Sequence, residues 1–245
     1  MSLTITDKGG NDDFPKLEKG TYEGTLYSIV DLGTKEYKFG NDEPKKQHKV
    51  SLAFEVTRAV DPDNNQVDME DGRPFAVSKK YTLSLHEKAA LRQDIESWRG
   101  KSLNDDELAG FDLVGLLGHT AKIEVDHTNP MPDGTGGGNP KIKALREPAG
   151  GTEKVATKNE QRAFDLEVYC AEFNGGSNDK TKAMCDVFDG LPAWQQKEIE
   201  ESFELLAAKE SDSEPRTVST GAASDNLETI SEEASEGLKD EDIPF

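Results

Sequence analysis

Cationic side chains gather at three places in this chain, and at two of them aromatic residues are interleaved. Lys35, Tyr37, Lys38, Phe39, Lys45, Lys46 and Lys49 fall in the first stretch, and Arg73, Phe75, Lys79, Lys80 and Tyr81 in the second. Lys141, Lys143 and Arg146 make the third. A ring face stacks on any base, and a cation beside it meets a phosphate, so the pattern suits single-stranded nucleic acid. Each stacked base is worth about 1–3 kcal/mol. Some of these residues also fit a plainer role. "EPKKQHK" suits a solvated loop, and Phe75 and Tyr81 alternate with Val77 and Leu83 in the manner of a buried strand face.

Catalytic patterns do not emerge. His48, His86, His119 and His127 form no HExxH or repeated metal spacing. Asp126 beside His127 is a single pair of ligand types at a strand end. "GTGGG" lacks the Lys-Ser/Thr of a phosphate-binding loop and precedes a strand rather than a helix. There is no GxSxG or Cys/His arrangement, and no carboxylate cluster of the kind a metal-dependent nuclease needs. The expectation is a binding protein, not an enzyme, with no cofactor and no metal.

The binding residues need a frame. "KGTYEGTLYSIVDLG" alternates β-branched and aromatic residues between turn-forming glycines, which predicts a strand. "HKVSLAFEVTRAV" places Val50, Leu52, Phe54 and Val56 at period two, a second strand with one buried face. "RPFAVSKKYTLSL", "HTAKIEVDHT" and "KIKALREP" supply three more. Between the third and fourth, Leu91, Ile95 and Trp98 make one apolar stripe of a helix. Ser84 with Glu87 reads as its capping box, and Gly100 as its stop. "DELAGFDLVGLLG" reads as a short connecting helix. Five strands with a helix after the third match the OB-fold barrel, a mainly β architecture in which loops between strands one and two and between four and five flank the ligand face.

Hydrophobic residues make up 33% of the 245 and charged residues 32%, so part of the chain lacks a core. Residues 1–13 read as a flexible lead-in, 14–149 as the barrel domain, 150–210 as a partly helical extension and 211–245 as a disordered acidic tail. Within the extension, "RAFDLEVYCAEF" fits strand or helix, and "LPAWQQKEIEESFELLAAKE" fits one helix with Trp194, Ile199, Phe203 and Leu206 facing one way. The formal net charge is −20. Residues 14–148 carry 23 acids against 19 bases, and residues 149–245 carry 23 against 9. An acidic DNA mimic or inhibitory interaction protein is the competing reading, but it needs an ordered acidic surface rather than a low-complexity tail. Cys170 and Cys185, in no paired motif, read as buried free thiols of a reducing compartment. The N-terminal segment has no basic-then-apolar pattern, and no apolar run approaches the roughly 20 residues of a membrane span. The expected location is the cytoplasm.

The chain ends "GLKDEDIPF", where acids precede Ile-Pro and a terminal aromatic residue. Asp240, Glu241, Asp242, Ile243, Pro244 and Phe245 resemble the C-terminal tip of bacterial single-stranded-DNA-binding proteins, with Glu241 and Lys239 departing from an all-Asp run. The stretch "FAVSKKYTLSLHEKAALRQDIESWRG" looks more like the single-stranded-DNA-binding proteins of tailed bacteriophages. The resemblance implies protection of single strands in replication, recombination and repair inside a bacterial host, with partner proteins holding the tip. A terminal Phe offers a ring and a carboxylate together to a basic-rimmed apolar pocket, and the acids steer it there. The polyanionic tail also competes with DNA for the lysines of the barrel.

Overall fold

The computed structural model describes residues 15–38, 43–60, 67–130 and 137–213. The lead-in, Phe39, part of the glycine-rich loop and the tail with Asp240–Phe245 lie outside the described residues. The main element is a long antiparallel hairpin. β1 (Gly20–Tyr37) and β2 (Lys45–Ala59) pair from Tyr22↔Ala59 out to Tyr37↔Lys45. Lys35, Tyr37, Lys45 and Lys46, expected in a loop, therefore stand on strands.

β3 (Ala76–Thr82) pairs with β2, β4 (Thr120–His127) with β1, and β5 (Pro140–Arg146) with β4, all antiparallel. The resulting order is β3-β2-β1-β4-β5. β3 and β5 end this order and approach each other across the core. A sixth strand, β6 (Arg162–Phe164), is not evident from periodicity; it runs parallel to β1 at Ser28–Val30.

The first core fills the space under the sheet with Tyr22, Leu26, Phe54, Val77, Ile123 and Leu145. α1 (Ala90–Arg99) closes it with Leu91, Ile95 and Trp98. Trp98 packs edge-on to Phe54 with centroids 5.4 Å apart, and its Nε1–H donates to the Thr120 carbonyl at 2.5 Å. Gly100 ends the helix at φ 66°, as expected. The start differs from expectation. α1 begins at Ala90 after Ala89 with no side-chain cap, and Ser84 Oγ accepts from the His86 amide at 3.2 Å, so Ser84 stabilises a turn ahead of the helix. The connecting segment is α2 (Asp105–Ala109), capped reciprocally by Asn104 and Glu107, followed by a 3₁₀ turn at Val114–Leu116.

The extension is not a separate appendage. α3 (Leu166–Phe173), α4 (Asp179–Asp189), α5 (Ala193–Glu200) and α6 (Phe203–Ser213) build a second core on Val30 and Leu32 of β1. Tyr169 stacks on Phe188 at 4.8 Å, and Phe164 leans on both rings. The ambiguous "RAFDLEVYCAEF" is thus strand and helix in turn, joined at Asp165, whose carboxylate accepts from the Val168 amide. Cys170 is buried here and Cys185 half-buried, both as free thiols.

The single helix expected over "LPAWQQKEIEESFELLAAKE" is two. Ser202 is buried, its hydroxyl donates to the Ile199 carbonyl at 2.6 Å and accepts from the Leu205 amide, and the chain turns there. Ile199, Leu205 and Ala208 face inward as a result, while Trp194, Phe203 and Leu206 remain 41%, 40% and 46% exposed. Gly33 permits this close docking. It lies at φ +73°, and a Cβ there would come within 2.5 Å of Ser202 Cβ and 2.6 Å of Leu166 Cδ2.

Candidate nucleic-acid interface

Three lysine–aromatic pairs meet where the β1–β2 arm, β3 and the last two helices come together. Lys49 Nζ lies 4.9 Å from the Tyr37 ring centroid, Lys46 Nζ 4.5 Å from that of Phe203, and Lys80 Nζ 5.2 Å from that of Trp194. An ammonium within about 6 Å of a ring face is held by the ring's quadrupole, which keeps both groups ordered and close to the surface. Burial pushes the Tyr37 hydroxyl up, the Glu198 carboxylate adds to this and Lys35 opposes it. Burial and then the charge of Lys80 push the Lys49 ammonium down, with Glu198 opposing. Tyr37, Lys35, Lys49, Lys80 and Glu198 therefore share one electrostatic neighbourhood.

Acids of the extension temper this surface. Lys35 pairs with Glu201 at 3.1 Å, and Lys80 with Glu198 at 2.6 Å. The second oxygen of Glu198 is buried without a hydrogen-bond partner among the described residues. Lys38 and Lys45 are exposed on or beside the arm, and Lys49 Nζ also donates to Thr82 Oγ1 at 2.8 Å.

Other expected binding residues stand elsewhere. Phe75 and Tyr81 are 3% and 2% exposed and belong to the first core, because their strand turns that face inward. Neither ring is open to a ligand. Tyr81 donates its hydroxyl to Asp94 at 2.8 Å, and Lys79 reaches the same carboxylate at 2.6 Å, which ties β3 to α1. Arg73 is folded onto Asp71 in the turn before β3. Lys141 and Lys143 are exposed on β5, within electrostatic reach of Asp126 and Glu124. Arg146 pairs with Glu124 at 2.6 Å. Asp126, which stands beside His127 at the strand end, pairs with Lys19 at 2.9 Å, and that contact, with the His127 amide, holds its carboxyl down at about 2.

A further cluster joins the arm to α6. His48 Nε2 lies 2.5 Å from Asp31 Oδ1, and its Nδ1 is 3.7 Å from Glu204 Oε1. Glu204 also accepts from the Thr34 amide at 2.8 Å and the Thr34 hydroxyl at 2.5 Å. The hydrogen bond to Asp31 holds the His48 imidazolium pKa above its ordinary value against burial, and the charges of Asp31 and Glu204 add to it. Asp31, His48 and Glu204 border a cavity of about 610 Å³ lined by Ile29, Val50, Phe164 and Leu166.

Sequence reasoning missed Trp194, Phe203, Glu198, Glu201 and Glu204 as parts of this surface. The signal available was the stretch "AWQQKEIEESFE", which sets two large aromatic residues among four acids beyond the five strands. Among the described residues no group of three or more His, Cys, Asp or Glu side chains is placed to hold a metal ion, and no helix is long and apolar enough to cross a membrane. Compared with family models, curated proteins and solved structures, the chain matches none, so the chemistry of this surface rests on its own geometry.

Proposed function

We propose that this protein binds single-stranded DNA without reading its sequence, through an OB-type barrel, and recruits partner proteins through its acidic C-terminal tip. The observation that carries the reading is the half-exposed Tyr37 ring with Lys49 at 4.9 Å, set among Lys35, Lys38, Lys45 and Lys80. Such a ring stacks on any base while the lysines follow the backbone, and strands two and three with the loop before them are where OB barrels hold oligonucleotides. The strand order, with α1 between β3 and β4, supports the barrel assignment. The resemblance of the tip and of "FAVSKKYTLSLHEKAALRQDIESWRG" to bacterial and phage single-stranded-DNA-binding proteins supports a role in replication, recombination and repair. Catalysis is not part of the proposal.

The test is a fluorescence titration of the full chain with single- and double-stranded oligonucleotides at two salt concentrations. Single strands bind more tightly, and affinity falls with salt at a log–log slope of about −0.7 per neutralised phosphate. Tyr37→Ala weakens binding by about 1–3 kcal/mol for the lost stack. Equal or tighter binding to duplex would sink the reading.

A further inference from the structure

Trp194 is the one large aromatic side chain of α5, and its packing is unlike that of Trp98. Trp98 is completely buried, whereas Trp194 is 41% exposed on α5, the helix that packs on β1 and whose Glu198 pairs with Lys80 of β3. Its ring borders a cleft of about 160 Å³ between α5 and the sheet. Tyr27, Ser28, Ser78, Arg162 and Gln195 border it too. Ala53 and Ala76 leave the floor open by their small size. At about 30 Å³ of liquid volume per water, the cleft holds about five waters, the size class of one planar base.

The chemistry of the cleft matches such a guest. Two aromatic residues supply flat apolar surface, and serine hydroxyls, an amide and a guanidinium supply hydrogen-bonding groups without a net negative charge. Part of this set is already anchored. Gln195 Nε2 donates to Ser51 Oγ at 3.3 Å, and Arg162 Nη1 donates to the Gly190 carbonyl at 2.8 Å. Those bonds fix the walls, so a ligand meets a preformed site rather than ordering one.

Lys80 links this cleft to the arm. Its ammonium lies over the Trp194 ring, while its charge acts on Lys49, the partner of Tyr37. A strand stacked on Tyr37 and continuing past Lys80 arrives at Trp194. Resting on the proposed function, we infer that the helical extension carries part of the DNA surface: Trp194 stacks a base at the mouth of the cleft, and Lys80 exchanges Glu198 for a phosphate. The extension is then a second binding element and not only a cover for the back of β1.

The chain contains two tryptophans, and only Trp194 is accessible, which makes intrinsic fluorescence a site-specific readout. Full-length protein is titrated with a fluorescein-labelled oligothymidylate of about 16 nucleotides, the upper end of site sizes for one barrel. Anisotropy reports affinity, and unlabelled oligonucleotide is used to follow tryptophan emission. The expected result is quenching of Trp194 on binding. Trp194→Ala weakens binding by about tenfold, within the range for one lost stack, and Trp194→Phe restores most of it. Circular dichroism checks that each variant keeps its helices. Should Trp194→Ala unfold the extension, quenching in the unaltered protein still decides. Unchanged emission with tight binding, or a folded Trp194→Ala protein that binds normally while Tyr37→Ala does not, overturns this inference and leaves the proposed function standing. Absence of any single-strand binding by the unaltered protein overturns both.

Discussion

Glu204→Ala tests how the extension is fastened to the arm. The carboxylate accepts from the Thr34 amide and hydroxyl and faces His48. A hydrogen bond to a charged group nets about 1.5–3 kcal/mol. Glu204 is 36% exposed, so water compensates part of each bond, and about 2 kcal/mol in total is expected. At about 2–4 °C per kcal/mol for a chain of this size, the melting temperature falls by about 4–8 °C.

The pH dependence carries a sign. His48 has a pKa raised above its ordinary 6.5, so its contribution is full below 6.5 and is lost as pH rises through the raised value. Glu204 is the opposite case. Burial raises it, but the bonds from Thr34, a bond from its own backbone amide and the charge of His48 together hold it below its ordinary 4.5. Its contribution is present above 4.5 and lost as pH falls through the lowered value. The fastening is complete between those two ordinary values, around pH 5.5, and keeps only its Thr34 component well above pH 7. Calorimetry of Glu204→Ala, His48→Ala and the double variant at both pH values gives the coupling. It should be up to about 1 kcal/mol near pH 5.5, as for a partly exposed ion pair, and close to zero at high pH. A coupling that does not change with pH, or a Glu204→Ala protein that melts with the unaltered one, would refute the reasoning.

Two other outcomes follow from the same geometry, and a third from the resemblance of the C-terminal tip. Tyr81→Ala costs about 3–5 kcal/mol in urea unfolding, as for loss of a buried ring, while Tyr81→Phe costs about 1.5–3 kcal/mol for its bond to the Asp94 carboxylate and leaves single-strand affinity unchanged. Glu198→Gln frees Lys80 and removes a charge that repels phosphate, so affinity rises about two- to fivefold at low salt; titration at high salt should show the gain shrinking. Deleting Asp240–Phe245 abolishes capture of replication or repair proteins in pull-down, and Phe245→Ala removes most of it, with no change in the melting curve.

Period-two alternation in residues 50–56, the stripe Leu91–Ile95–Trp98 and the stop at Gly100 were enough to read five strands and a helix in their order. Those signals are local: each follows from which side of a strand or helix faces water. Periodicity also left Phe75 and Tyr81 open between a core and a ligand, because a strand has two faces and only the packing partner says which is covered. Tertiary structure decided that through α1 and Asp94. It also decided the break at Ser202, where a buried hydroxyl replaces a helical turn, and so which aromatic residues remain outside. Above all it decided which charges meet. Lys80 and Glu198 are 118 residues apart in sequence, and Thr34 and Glu204 are 170 apart. Composition records that both signs of charge are present, but a carboxylate acts on a lysine only at contact distance, and that distance is set by the two cores that dock the extension on β1.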